Sequence, residues 1–140
     1  MTKYGMVIDL SRCVGCNACT VACKFANGLG PGMFYSHVSV SEKGDYPNAR
    51  MTVEASLCNH CDNAACVHVC PVGATVKRDD GIVTVDASKC IGCRYCMIAC
   101  PYDVRLFIEK SASEGTYFPE MGQTPFEETA YKRHQAGTVE

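Results

Sequence analysis

Residues 90–101 read CIGCRYCMIACP, with four cysteines in the spacing C-x-x-C-x-x-C-x-x-x-C and a proline directly after the last. Three thiolates on one seven-residue loop can surround a compact group from three sides, while the fourth lies further along and points elsewhere. A four-thiolate zinc site usually takes two ligands from each of two separate loops. The spacing therefore favours a cuboidal cluster of several metal atoms over a single ion.

Cysteines elsewhere in the chain repeat this arrangement. Of the 140 residues, 12 are cysteines, and they form three groups of four: Cys13, Cys16, Cys19 and Cys23; Cys58, Cys61, Cys66 and Cys70; Cys90, Cys93, Cys96 and Cys100. The spacing of the third group, followed by proline, is the run with which bacterial ferredoxins bind 4Fe–4S clusters. The first group keeps the spacing without the proline, and the second has one longer interval. All twelve are therefore candidate cluster ligands.

Disulfides and zinc are the two alternative uses of these cysteines. Disulfide frameworks spread cysteines along a chain and need an oxidising compartment. Residues 1–9 contain neither a long apolar segment nor a twin arginine, so we see no export signal of the chain's own. Zinc stays open as an alternative, because paired C-x-x-C motifs also build four-thiolate zinc sites.

Length and charge exclude several other classes of protein. The chain has the length of one domain. It carries 13 Lys and Arg against 15 Asp and Glu, a formal net charge of −2. Nucleic acid as the main partner would need a basic surplus. No apolar run approaches the roughly 18 residues of a membrane-spanning helix.

We predict a single iron–sulfur unit over residues 1–140 with three parts. Residues 1–57 hold the first cysteine group with an inserted loop and strands. Residues 58–110 form a two-cluster core, because a cysteine loop, a short helix, Cys-Pro and a strand occur there twice. Residues 111–140 are rich in glycine, proline and scattered aromatic residues, and we predict an extended tail that docks on a partner. The predicted fold class is α+β: a loop-rich, duplicated, ferredoxin-like cluster-binding domain with short helices and small antiparallel strand pairs.

Local patterns predict the elements of this fold. Residues 18–25 favour a short helix. Asp80-Gly81 is a hairpin turn signal between two of the predicted strands. Apolar and β-branched residues predict strands at residues 6–8, 35–40, 51–54, 74–77, 82–85 and 104–108.

Two glycines and two prolines beside the cysteines are further candidate cofactor-binding residues. Gly15 and Gly92 each stand one residue before the second cysteine of a loop. Glycine there would let backbone amides approach the cluster sulfurs, although an ordinary tight turn explains the same residues. Pro71 and Pro101 directly follow the last cysteine of the second and third groups.

Several of these motifs together resemble a known family. Residues 6–9 (MVID) ahead of 13–19 (CVGCNAC), residues 57–61 (LCNHC) and residues 90–102 are similar to the iron–sulfur subunits of the dimethyl-sulfoxide-reductase superfamily of molybdopterin oxidoreductases. The resemblance covers essentially the whole chain and is specific for the class of subunit, not for a substrate. It implies a non-enzymatic subunit that relays single electrons to or from a molybdopterin-containing catalytic subunit in anaerobic respiration. A quinol-oxidising membrane anchor is a further implied partner.

The resemblance also implies how the cysteines are shared. One cluster would be held by Cys58, Cys61, Cys66 and Cys100, and the next by Cys90, Cys93, Cys96 and Cys70. Such subunits typically carry a fourth cysteine group, which pairs with the first and is missing from this sequence, so we expect a truncated or incomplete chain. Cys13, Cys16, Cys19 and Cys23 are then expected to form a site, or two, that is empty, labile or completed by another chain.

Two other functions compete with the electron-transfer subunit. A free-standing soluble polyferredoxin serving several oxidoreductases would need the same clusters, and a structural zinc-binding module would need only the thiolates. The expected location is the cytoplasm, or the far side of the membrane by co-export with a signal-bearing partner. His60 lies inside the second cysteine loop, but four cysteines already serve there, so we do not expect it to be a ligand.

Overall fold

The computed structural model describes residues 3, 5–109 and 115–140, and in them it contains short helices and two separate antiparallel strand pairs. The helices are α1 (Ala18–Asn27), α2 (Ala65–His68), α3 (Tyr95–Ile98) and α4 (Pro125–Tyr131). The strands are β1 (His37–Lys43), β2 (Arg50–Ser56), β3 (Thr75–Lys77) and β4 (Val83–Val85). The predicted loop-rich α+β class is confirmed.

A hairpin of β1 and β2 follows the first cysteine helix. Its register places Val40 opposite Val53, and the strands occupy the predicted segments with displaced ends. The helix that precedes it, α1, ends at Gly28, whose backbone N–H closes the last turn on the carbonyls of Lys24 and Phe25. The hairpin is exposed over most of its length, so it extends the region of the first cysteine group without enclosing it.

The middle of the chain is built from a unit that occurs twice. α2 and α3 pack against each other, and each carries the third cysteine of its group. Positions thirty residues apart are equivalent: Gly73 and Asp103 both adopt a positive φ, of 62° and 50°. The β3–β4 hairpin turns at the predicted Asp80-Gly81, where the Asp80 carboxylate accepts the backbone N–H of Ile82 at 3.1 Å. These equivalences agree with a repeated unit, while the two-cluster core at residues 58–110 stays a prediction, and residue 110 lies outside the described residues.

The C-terminal residues complete the second of these units. Leu106 and Glu140 exchange two backbone hydrogen bonds of 2.9 and 2.8 Å, and the N–H of Ile108 donates to the carbonyl of Thr138 at 2.8 Å. The centre of this contact is an antiparallel bridge between Phe107 and Val139. The predicted strand at 104–108 is thus reduced to a bridge, and its partner comes from the far end of the chain.

The tail packs on its own chain. Phe126 of α4 stacks on Phe25 of α1 with ring centroids 5.1 Å apart. A small core of Leu29, Met33 and Ile108 lies beneath the chain's C-terminal end. Docking of the tail on a partner, which the sequence predicts, stays a prediction, and residues 111–114 of that tail lie outside the described residues.

The predicted strand at residues 6–8 is wrong. These residues have no regular secondary structure and no strand partner within the described part of the chain, and the side chain of Val7 is 94% exposed. A strand needs a neighbour that accepts and donates its backbone hydrogen bonds, and none of the described segments pairs with this one. None of the helices in the described residues has the length and apolar character that crossing a bilayer requires.

Candidate metal centres

Cysteines of the second and third groups meet at one narrow cavity. Its wall includes all four sulfur-bearing residues of one predicted ligand set: Cys70, Cys90, Cys93 and Cys96. Four soft thiolates are a donor set that selects iron–sulfur clusters, zinc or copper(I). Cys70 comes from the neighbouring group, as the crossed ligand assignment requires. The assignment stays a prediction, and this arrangement supports it.

Backbone amides point at the Cys70 sulfur. The N–H of Ala74 donates to its Sγ at 3.2 Å. Burial raises the pKa of the Cys70 thiol, but backbone hydrogen bonds from Thr75, Val72 and Ala74 outweigh it and hold that pKa below its ordinary value. The thiolate is the form that binds metal, so this turn prepares Cys70 for ligation.

The third cysteine group contains both a buried residue, Cys96, and an exposed one, Cys93. Cys96 is buried, which raises the pKa of its thiol, and the positive charge of Arg105 opposes that effect. The backbone N–H of Val139 donates to Cys90 Sγ at 3.5 Å. The C-terminal bridge therefore also covers a cysteine of the predicted site.

The other predicted ligand set is Cys58, Cys61, Cys66 and Cys100, all of them half-buried thiols. Arg105 donates from Nη2 to Cys66 Sγ at 3.1 Å. Lys77 donates to the Cys61 carbonyl at 2.8 Å, which fixes the loop backbone beside β3. Because α2 and α3 are in contact, the second cysteine loop lies next to the cavity lined by Cys70, Cys90, Cys93 and Cys96. Joint ligation by these four cysteines stays a prediction.

A larger cavity of about 500 Å³ lies between the first and second cysteine groups. Cys19, Cys23 and Cys58 line it, together with Ser36 and Arg105. The Ser36 hydroxyl is buried and has no hydrogen-bond partner among the described residues. A bound group with acceptor sulfurs would satisfy that hydroxyl, so the walls of this cavity fit a thiolate-held iron–sulfur cluster.

The first cysteine group is the most open of the three. Cys13 is half-buried and directly follows a turn at residues 10–12, and Cys16 and Cys19 are exposed. Cys23, one turn further along α1 than Cys19, accepts a hydrogen bond from Asn27 Nδ2 at 3.4 Å. Cys13 and Cys16 precede α1 and Cys19 and Cys23 lie on it, and the two helical cysteines both line the 500 Å³ cavity.

Lys24 occupies the position at which the other two groups have proline. Its ammonium donates to the carbonyls of Gly30 and Met33, the second at 2.7 Å, and lies 4.4 Å from the centroid of the Phe34 ring. The lysine therefore closes the glycine-rich loop after α1. Its contacts lie six to nine residues away along an irregular loop, so no local sequence pattern signals this role.

The two predicted glycines are explained by packing and turn geometry. Gly92 has a φ of +69°, and a Cβ on it would lie 2.2 Å from the carbonyl oxygen of Gly137. Gly15 has a φ of +70°, and a Cβ there would meet the Val53 side chain at 3.3 Å. Contact of their amides with cluster sulfurs stays a prediction.

The two predicted prolines and His60 lie next to cysteines in the sequence but have different surroundings. Pro71 and Pro101 lie exposed in the turns that follow Cys70 and Cys100, and their contact with a cluster stays a prediction. His60 accepts the backbone N–H of Val83 at Nδ1, at 3.0 Å. That nitrogen is used by the protein, and the expectation that His60 is not a ligand stays a prediction.

Comparison with known proteins defines the class. Two protein-family models, both described as 4Fe-4S dicluster domains, match residues 49–115 and 12–74 of the sequence. A putative dimethyl sulfoxide reductase iron-sulfur subunit of Halobacterium salinarum is 48% identical over 120 residues, 76% of this chain and 46% of that protein. A selenate reductase subunit of Mesobacillus selenatarsenatis is 52% identical over 105 residues, 75% of this chain and 36% of that protein. The arsenate respiratory reductase iron-sulfur subunit of a Shewanella species is 47% identical over 105 residues, with coverages of 75% and 45%.

Together the two models span residues 12–115, and the chain therefore belongs to the 4Fe–4S dicluster proteins. Within that class it is a relative of the iron–sulfur subunits of reductase complexes, and the family resemblance of the sequence is confirmed. The chain spans less than half the length of these relatives. The clusters are of the 4Fe–4S type, which decides against zinc and against a disulfide framework.

Proposed function

We propose that this chain is a non-catalytic electron-transfer subunit, which passes single electrons to or from a molybdopterin-containing catalytic subunit in anaerobic respiration. The observation that carries the proposal is the convergence of Cys70 with Cys90, Cys93 and Cys96 on one cavity. Four cysteine thiolates are the usual protein ligands of a 4Fe–4S cluster. A site of this kind has no open position for a substrate, so it suits electron relay and not bond-making chemistry.

The bound clusters supply reversible one-electron transfer. The residues of this chain hold the clusters and adjust their potentials. Backbone N–H groups of Ala74 and Val139 donate to cysteine sulfurs and so favour the more negative, reduced state. The buried side chain of Val139, which lines the cavity of the third group, keeps water away from that site.

A free-standing polyferredoxin is the alternative. The names of the relatives favour a subunit of a complex, because each of them is called a subunit of a reductase. The tail does not separate the two possibilities, since it packs on α1 of the same chain. Partnership is therefore the property to test.

The partners and location belong to the same proposal. A catalytic reductase subunit is the principal partner, as the subunit names of the relatives suggest. A quinol-oxidising membrane anchor is the second candidate partner. The complex would lie in the cytoplasm, or across the membrane by co-export with a signal-bearing catalytic subunit.

Anaerobic isolation of the tagged native protein tests the proposal. We expect a large molybdenum-containing subunit to co-purify, and we expect that subunit's substrate to reoxidise the reduced clusters only in the complex. Isolation of the loaded chain alone, with equal electron transfer to several unrelated oxidoreductases, would support the polyferredoxin instead.

A further inference from the structure

Arg105 lies where the cysteine groups approach one another. Its guanidinium donates to Cys66 Sγ at 3.1 Å and lines the 500 Å³ cavity together with Cys19 and Cys58. The side chain is half-buried, so solvent screens its charge only in part. Its charge also acts on Cys96 of the adjacent site.

Other cationic side chains near the cysteines are engaged differently. Lys77 binds a backbone carbonyl and the carboxylate of Asp62. Arg94 lies over the Phe107 ring, 3.8 Å from its centroid. Within residues 5–109 and 115–140, Arg105 is the cationic side chain that donates a hydrogen bond to a cysteine sulfur.

The repeat makes this arrangement asymmetric. Arg105 stands five residues after Cys100, and the equivalent residue five after Cys70 is Thr75. Thr75 is 2% exposed and carries no charge. One cluster site of the pair therefore has a fixed positive charge on a ligand, and its counterpart has a buried hydroxyl at the same position.

We propose that Arg105 acts through Cys66 to raise the reduction potential of the cluster that Cys66 ligates, so that this cluster is the one reduced first. Accepting an electron adds negative charge to the cluster and its thiolates. A charged N–H donor on a thiolate stabilises that state more than the oxidised one. The inference rests on the proposed function, because it requires the clusters to be redox-active.

Redox titration followed by electron paramagnetic resonance tests the proposal on the anaerobically purified, cluster-loaded chain. Arg105→Met removes both the charge and the donor, whereas Arg105→Lys keeps the charge. The matched control is Arg78→Met. Arg78 pairs with Asp80 at the β3–β4 turn, so this variant removes the same charge at a position away from the cysteines.

We expect Arg105→Met to lower the midpoint potential of one cluster by ~59 mV. For a one-electron couple this is a tenfold change in the equilibrium constant of reduction. Arg105→Lys should fall between this variant and the wild type, and Arg78→Met should match the wild type. Unchanged potentials in Arg105→Met, or an equal shift in Arg78→Met, would overturn the inference.

Cluster loading separates this inference from the proposed function. If the wild-type chain carries no redox-active iron, the proposed function fails. If it is loaded and Arg105→Met leaves every potential in place, only the role of Arg105 fails. If Arg105→Met loses its iron, Arg105→Gln replaces it as the test, because glutamine keeps an N–H donor without the charge. A midpoint potential lowered in Arg105→Gln supports the inference, and an unchanged one overturns it.

Discussion

Gly92 connects the third cysteine loop to the C-terminal residues. Its backbone lies in the left-handed region, and the carbonyl of Gly137 occupies the space that a Cβ would need. The position of this glycine within the cysteine motif is visible in the sequence, but its packing partner lies 45 residues further along the chain. Gly92 therefore packs the cluster loop against the tail, next to the hydrogen bond from the Val139 N–H to Cys90 Sγ.

Substitution of the two motif glycines should have unequal effects. We expect Gly92→Ala to destabilise the loaded protein by more than the about 1–3 kcal/mol of a strained backbone conformation, since a carbonyl must also move. Gly15→Ala is the matched control, because it has nearly the same φ and meets only side-chain atoms of the β1–β2 hairpin. Thermal loss of the cluster absorbance measures both, and equal effects would contradict the packing role of Gly92.

The crossed ligand assignment can be tested cysteine by cysteine. Cys70→Ser and Cys93→Ser should each weaken the same paramagnetic signal of the reduced protein, because both residues line one cavity. Cys58→Ser should affect the other signal of the pair. If Cys70→Ser instead reproduced the effect of Cys58→Ser, each group would ligate its own cluster.

At the residue scale, the sequence predicts the ligands but not the residues that support them. The twelve cysteines are recognisable because metal ligation fixes their spacing along the chain. Lys24 and Arg105 cannot be recognised as supporting residues from the sequence, because an isolated cation next to a cysteine is usually a solvated surface residue. Their roles follow from contacts that only the folded chain creates, with the Met33 carbonyl and the Cys66 sulfur.

Among the elements, the antiparallel bridge near the C-terminus organises the second half of the repeat. The bridge pairs Phe107 with Val139 in antiparallel orientation, as β3 pairs with β4, but its second segment is distant in sequence. Asp80-Gly81 made the β3–β4 hairpin predictable because a tight turn encodes its own pairing. No local signal specifies the pairing of 106–108 with 138–140, and residues 6–8 show that a strand-like pattern alone does not create a partner.

Truncation of a buried side chain in this bridge should loosen the tail. Val139 is 1% exposed, and Val139→Ala removes methyl groups worth about 0.8 kcal/mol each and leaves a cavity, about 2–3 kcal/mol in total. Val40→Ala on β1, where Val40 is 56% exposed, is the control and should cost less than about 1 kcal/mol. Thermal melting compares the two, and a Val139 variant no weaker than the control would argue against a closed bridge.

The whole molecule has little apolar core for its length. Many large apolar side chains are exposed, and the largest fully buried apolar ones among the described residues are Ile108 and Val139. Domains of this kind are usually stabilised by cross-links or metal sites, because burial alone does not offset the chain entropy. We therefore expect the clusters to stabilise the fold as well as to carry electrons.

Removal of the clusters should unfold the protein. We expect iron chelation or air oxidation to abolish cooperative thermal melting and the dispersion of amide signals in nuclear magnetic resonance spectra, because the cysteine loops lose their common centres. Anaerobic incubation without chelator is the control. An apo protein that still melts cooperatively would show that the polypeptide folds without its clusters.

Quantitation of iron and acid-labile sulfide in the anaerobically purified chain tests most directly whether the cysteines hold a pair of clusters. We predict at least about eight of each per chain, the content of two 4Fe–4S clusters. A value near twelve would mean that the first cysteine group is loaded as well. A native, colourless protein that contains zinc and no labile sulfide would contradict the presence of clusters and, with it, the electron-transfer role.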